Sequence, residues 1–254
     1  MFQGTGFVCA VALLFGTASG GGTIGLAFVD MVLAALSGLS FSVGWVFLGH
    51  GLAFGRTSVV APVECITSIS FVTLLEGIFF GWWSGSHFGG IATAALAGIL
   101  VAYAGKSNQG SATQSAILGL AAGVMFGSSY LLLGLVSEDG SMTALAVMRF
   151  FAATASILWL FISGDRDTPT CSTPTDGSKH GVALGITGGI ADGLGTCAFI
   201  IATLNGLIGV AVAILSLCAA VTVLLGMIFL GERPYRRQIA GFAAAITAVL
   251  ILSR

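Results

Sequence analysis

A chain of 254 residues with a formal net charge of −1, 56% hydrophobic and only 7% charged residues cannot clothe itself for water. A soluble domain carries roughly 25% charged residues, because its surface must be hydrated. The composition therefore excludes a soluble globular protein, makes the bilayer the solvent and gives no argument for a nucleic-acid partner.

Apolar runs of bilayer-spanning length, each near the roughly 20 residues a helix needs, recur along the whole chain. Nine spans are expected, near 5–20, 26–52, 57–81, 88–105, 115–136, 142–163, 181–203, 207–230 and 237–253. The first is short and ends in Ser19-Gly20-Gly21-Gly22. The breaks are polar or glycine-rich: Gly55-Arg56, Ser84 to His87, Lys106 to Thr113, and Ser137 to Gly140. The longest runs from Asp165 to His180 and holds Pro169 and Pro174, which no continuous helix tolerates. Gly231-Glu232-Arg233-Pro234-Tyr235-Arg236-Arg237-Gln238 is too polar for hydrocarbon and must be a tight turn at the membrane surface. No segment alternates like a transmembrane strand, so the expected fold is an all-α integral membrane bundle.

The five cysteines lack metal-site spacing or an obvious pairing, and Cys9, Cys65, Cys197 and Cys218 sit in apolar runs as small packing residues. Met1-Phe2-Gln3-Gly4 has no basic region, so a cleaved signal peptide is not expected. Glycines recur every four residues at Gly119, Gly123 and Gly127, at Gly177 to Gly193, and at Gly77 to Gly89. Within a span this spacing makes a smooth stripe on which a neighbouring helix can pack closely. Gly193-Leu194-Gly195 has no strand before it and is no nucleotide loop. No cofactor is expected.

The chain also resembles itself. Shifted by 150 residues, 71–81 aligns with 221–231, and Leu74, Leu75, Ile78, Phe79 and Gly81 match Leu224, Leu225, Ile228, Phe229 and Gly231. The same shift aligns Val32 and Gly38 with Val182 and Gly188, and brings the breaks between spans into register. Internal repeats in a polytopic helical protein are typical of secondary transporters, whose sites lie near mid-membrane at the repeat interface.

Residues 180–254 resemble the second repeat of EamA-type proteins of the drug/metabolite transporter superfamily. That family's signature is a long span ending in Gly-Glu-Arg, a short loop, a Gln, and a Gly opening the last span. Gly231, Glu232, Arg233, Gln238 and Gly241 stand in those places. Arg149 matches the family's arginine in the second helix of a repeat, and Pro62 its proline in the fourth. The resemblance implies export or exchange of small metabolites or drugs by alternating access, without ATP. It implies a first repeat over 1–110 and a second over 111–254, in inverted topology.

Two departures stand out. At a shift of 150 the counterpart of 115–136 falls before Met1, so the first helix of the first repeat is missing, and the short span at 5–20 lacks the arginine. Trp82-Trp83 stand where the second repeat has Glu232-Arg233. A start codon assigned too late is the expectation, ahead of a shortened member.

A charge at mid-bilayer costs from about 2.5 kcal/mol upward, so each needs a partner or a purpose. Asp192 lies about eleven residues into its span and Arg149 about seven into the antiparallel preceding one; at about 1.5 Å per residue their depths match. They are expected to pair, either as a permanent bridge or as a switch broken by substrate. Glu64 follows Pro62 by two residues, and no basic residue shares its span. Burial disfavours a charged carboxylate, which suits proton coupling or a cationic substrate. Trp45 is a candidate cavity residue, although a tryptophan in a membrane helix is more often packing or a lipid anchor. Asp30 and Glu76 lie nearer span ends, within reach of interfacial water, and neither His50 nor His87 is compelling. Glu232 and Arg233 read as an interfacial pair rather than a substrate site.

Loops placed on alternating faces put Arg56, Lys106, Arg166, Lys179, Arg233, Arg236 and Arg237 on one side, and only Arg254 at the surface of the other. The positive-inside rule makes the first side cytoplasmic and the C-terminus external, whereas the resemblance implies a cytoplasmic C-terminus. The expected protein is a secondary transporter of the plasma (inner) membrane, not an enzyme, with Glu64, Arg149, Asp192 and Trp45 around its cavity. Its expected partners are a small-molecule solute, the lipid bilayer and, as a candidate, a second copy of the chain. The alternatives are a non-transporting subunit that needs a partner, and an intramembrane enzyme. The sequence holds no His-Glu-x-x-His and no convincing serine–base pair for the latter.

Overall fold

A computed structural model describes residues 26–55, 57–80, 112–136, 141–163 and 186–196, with further positions at 89, 92–93, 96, 100, 239–241, 243–244 and 246–247. Among the described residues all regular structure is helical and no strand occurs. Four helices have defined bounds: α1 (Phe28–Phe54), α2 (Thr57–Phe80), α3 (Ala112–Gly134) and α4 (Ser141–Ser163). They fall within a few residues of the spans expected at 26–52, 57–81, 115–136 and 142–163. Residues 186–196 are helical inside the span expected at 181–203, as are the described positions within 88–105 and 237–253. The spans expected at 5–20 and 207–230, and the charged turn at 231–238, lie outside the described residues.

Length and composition make these helices membrane elements. The 27 residues of α1 reach about 40 Å and the 23 of α3 about 35 Å, against a hydrocarbon core of about 30 Å. Among the described residues three stretches, Phe28–Phe54, Thr113–Gly134 and Met142–Trp159, are long and apolar enough to cross. The outer faces of these helices are apolar, while several polar groups lie inside among apolar core residues. Phe28, Val32, Leu36, Leu39 and Val43 form one exposed apolar face of α1, while Ser37 and Ser42 are buried. Ser115, Ser129 and Arg149 are likewise enclosed, and Phe150, Ile157, Leu158 and Phe161 of α4 are exposed. Lipid makes this sorting favourable: large apolar side chains cost nothing on the outside, and polar groups need protein partners.

The chain divides into two compact units, Met1–Ser42 with Leu132–Gly206, and Val43–Leu131 with Leu207–Arg254. In the first, Ala34, Val136 and Ala144 form a core covered by Leu26, Leu33, Leu133 and Val147. Gly38 of α1 sits so close to α4 that an added Cβ would meet the Met148 carbonyl oxygen, and would lie 3.1 Å from the Ala152 nitrogen. One turn further along α1, the Ser42 and Ser156 hydroxyls are hydrogen-bonded at 2.9 Å. Numbers rise together on the two helices, so α1 and α4 run parallel here.

In the second unit α2 and α3 also run parallel. An added Cβ at Gly119, Gly123 or Gly127 would lie 2.8, 2.7 or 3.0 Å from the carbonyl oxygens of Val60, Glu64 and Ser68 respectively. The expected glycine stripe is thus a seam on which the α2 backbone packs closely, the kind of approach that small residues permit between membrane helices. Antiparallel to α3, α1 brings Gly55 to Ser115 and Gly44 to Phe126. Pro62 sits inside α2 and is fully buried; lacking an N–H, it leaves one helical hydrogen bond unmade.

Candidate functional site

Arg149 is the most deeply enclosed charge among the described residues. It lies in α4 between Met148 and Ala152, whose backbone meets Gly38 of α1, and is itself 0% exposed. Its Nη1 donates to Asp192 Oδ2 at 2.5 Å, and its Nη2 donates to Thr196 Oγ1. Thr196 Oγ1 in turn donates to the Asp192 carbonyl at 2.8 Å, a bond within the helical stretch that aims a hydroxyl lone pair at the guanidinium. From α1 the Phe41 ring lies under the cation, 4.9 Å from Cζ to centroid. A buried cation thus has an anion, a hydroxyl dipole and an aromatic face around it, each an attraction strengthened where water is absent.

Enclosure is not even. The Arg149 side chain is 1% exposed, whereas that of Asp192 is 25% exposed. The carboxylate meets the guanidinium end-on, through one oxygen and one nitrogen, and Arg149 Nε is buried with no hydrogen-bond partner. A side-on fork would have used Nε together with a terminal nitrogen. The arrangement neutralises the arginine while leaving part of its donor capacity unspent.

The pairing of Arg149 with Asp192 expected from helix depth is present. The other two expected site residues belong to the second unit. Glu64 is half-buried on α2, and its Oε2 accepts the Cys65 Sγ–H at 3.3 Å. Trp45 of α1 meets Phe126 of α3 edge to face, with centroids 5.8 Å apart and planes at 79°. Gly44 leaves room for that ring, since an added Cβ would lie 2.9 Å from it. Asp30 is buried in the first turn of α1, where the helix dipole favours an anion. His50 Nδ1 donates to the Val46 carbonyl at 2.9 Å, a bond within its own helix. His87 lies outside the described residues, as do Glu232 and Arg233. Thr196 was legible in principle, standing four residues after Asp192 on the same helix face. Nothing in the sequence marked Phe41.

The described residues are all helical, with apolar outer faces and a buried ion pair between α4 and the helical stretch 186–196. A family model decides the matter: the EamA-like transporter family matches residues 113–254, more than half of the chain. The chain belongs to that family. It is therefore an integral membrane protein and a membrane transporter of the drug/metabolite transporter superfamily, a family of transporters and not of enzymes. No curated protein matches the chain. The matched region of this EamA-like transporter includes α3, α4 and the whole Arg149–Asp192–Thr196 cluster.

Proposed function

We propose that this EamA-like transporter is a secondary carrier that exports or exchanges small organic metabolites or drugs across the plasma (inner) membrane by alternating access. The single observation carrying the reading is the Arg149–Asp192 pair, closed around the arginine and open at the aspartate. Such a pair can exist made or broken, and a solute that competes for either member biases the choice. Glu64 is the proposed proton-coupling group, and Trp45 a wall of the solute cavity.

Nine helices in two inverted repeats, 1–110 and 111–254, complete the proposal. The shift of 150 residues pairs Ser42 with Asp192, and both side chains bind α4, Ser42 through Ser156 and Asp192 through Arg149. Equivalent positions of two repeats meeting one central helix supports that organisation. Counterflow is the test: purified protein in proteoliposomes, loaded with one solute class at a time, should accelerate entry of the labelled solute for at least one class. Folded protein that moves no carboxylate, amide or amine would overturn the carrier reading.

A further inference from the structure

Three groups hold the Arg149 guanidinium, and they differ in how easily each can let go. Asp192 accepts from Nη1 through one carboxylate oxygen, and its side chain is 25% exposed. Thr196 accepts from Nη2 through its hydroxyl oxygen, and the Phe41 ring of α1 lies 4.9 Å from Cζ. Asp192 reaches the cation through freely rotating bonds of its own side chain. Thr196 is locked: its hydroxyl donates to the Asp192 carbonyl at 2.8 Å, one helical turn back. That bond selects the rotamer of a β-branched side chain. A hydroxyl has a single hydrogen, so with it spent on the backbone only lone pairs remain to face Arg149. Rotating the Asp192 carboxylate away from Nη1 leaves the Asp192 carbonyl where it was, and the Thr196 hydroxyl with it.

We infer that Thr196 is the positioning residue that keeps Arg149 in place while its bridge to Asp192 is open. The inference rests on the carrier reading above, in which the pair is made and broken, and deepens it. Opening becomes the rotation of one side chain rather than the displacement of a helix. The Arg149 side chain is 1% exposed, so an open bridge with no second acceptor would strand a buried cation, a costly state for a charged donor. Thr196 and Phe41 keep a hydroxyl dipole and an aromatic face on the cation in that state, both strengthened where water is absent. Thr196 touches no solute in this role and acts only through the guanidinium.

Thr196→Val keeps the shape of the side chain and removes the acceptor, whereas Thr196→Ser keeps the hydroxyl. Thermal unfolding of the full chain in detergent, in three backgrounds, separates a hold on Arg149 from a general effect on the helix. Asp192→Asn stands for the open bridge, because it removes the charge that neutralises the arginine. The fall in Tm caused by Thr196→Val should be roughly twofold larger in that background than in the wild type, since coupled neighbours do not add. It should nearly vanish in the double variant Arg149→Met with Asp192→Leu, and Thr196→Ser should largely spare Tm in all three. In proteoliposome counterflow, succinate, succinamide and 1,4-diaminobutane are offered one at a time. For whichever probe the wild type exchanges, Thr196→Val should lower the maximal rate roughly tenfold with an unchanged half-saturating concentration, and Thr196→Ser should restore it. Equal falls in Tm in all three backgrounds overturn the inference, as does an unaltered maximal rate in folded Thr196→Val. A raised half-saturating concentration at an unchanged maximal rate would make Thr196 a solute contact and overturns it too. Failure of the folded wild type to exchange any probe counts against the carrier reading, while the unfolding comparison decides the hold on Arg149 separately.

Discussion

Arg149 and Asp192, 43 residues apart in sequence, form an ion pair in which the arginine is sealed and the aspartate keeps a quarter of its side chain exposed. The asymmetry sets how each member responds to substitution. Removing the aspartate strands a buried charge, whereas removing both members strands none.

Asp192→Ala should therefore lower stability by about 3 kcal/mol, because breaking a buried pair leaves an uncompensated ion. Thermal unfolding in detergent micelles reads this directly. The double variant Arg149→Met with Asp192→Leu should recover most of the loss, since well-packed apolar side chains replace a buried pair at little cost. It should not recover solute exchange. A double variant that transports normally would make the pair a structural fixture.

The α2–α3 seam predicts a contrast between two glycines. At Gly123 an added Cβ would lie 2.6 Å from Thr67 Cβ and 2.7 Å from the Glu64 carbonyl oxygen, whereas at Gly49 nothing lies within 4 Å. Gly123→Ala should destabilise by about 1–3 kcal/mol, since backbone cannot step aside cheaply. Gly49→Ala should be neutral or stabilising by up to about 1 kcal/mol, through helix propensity alone. Melting temperatures of the two variants measured side by side check the sign of each.

Glu64→Gln keeps the shape of the side chain and an oxygen able to accept the Cys65 thiol, but it cannot give up a proton. The variant should fold normally and continue counterflow without a gradient. It should lose the acceleration produced by an imposed pH gradient. Gradient-driven uptake equal to that of the wild type would reject the coupling role.

Seven basic residues on one side against Arg254 on the other predict an external C-terminus. An alkaline phosphatase fusion at Arg254, active only outside the cytoplasm, should be active. Activity of a cytoplasm-only reporter at the same position would show instead the orientation implied by family resemblance.

Legibility in the sequence followed from how local the governing physics is. Helix α4 was readable as 142–163 because hydrocarbon thickness fixes the length of an apolar run. The depth match of Arg149 and Asp192 was readable because helical rise is constant. The stripe Gly119, Gly123 and Gly127 was visible as a stripe, but its partner was not. That Val60, Glu64 and Ser68 oppose it depends on the parallel sense of α2 and α3, which no spacing within either helix encodes. Trp45 was likewise recognisable as a membrane aromatic, whereas its edge-to-face contact with Phe126 of α3 required the fold.

The sequence by itself determined that this is a helical membrane protein of the EamA-like transporter family. Those properties follow from composition, run length and a local signature, all additive along the chain. Tertiary structure alone decided how the charges are shared: a sealed Arg149, a partly exposed Asp192, a hydroxyl from Thr196, an aromatic face from Phe41 and an Nε left without a partner. Burial and hydrogen-bond direction depend on which helix faces meet. In lipid, dispersion and polar contacts choose those faces, and hydropathy along the chain does not encode them.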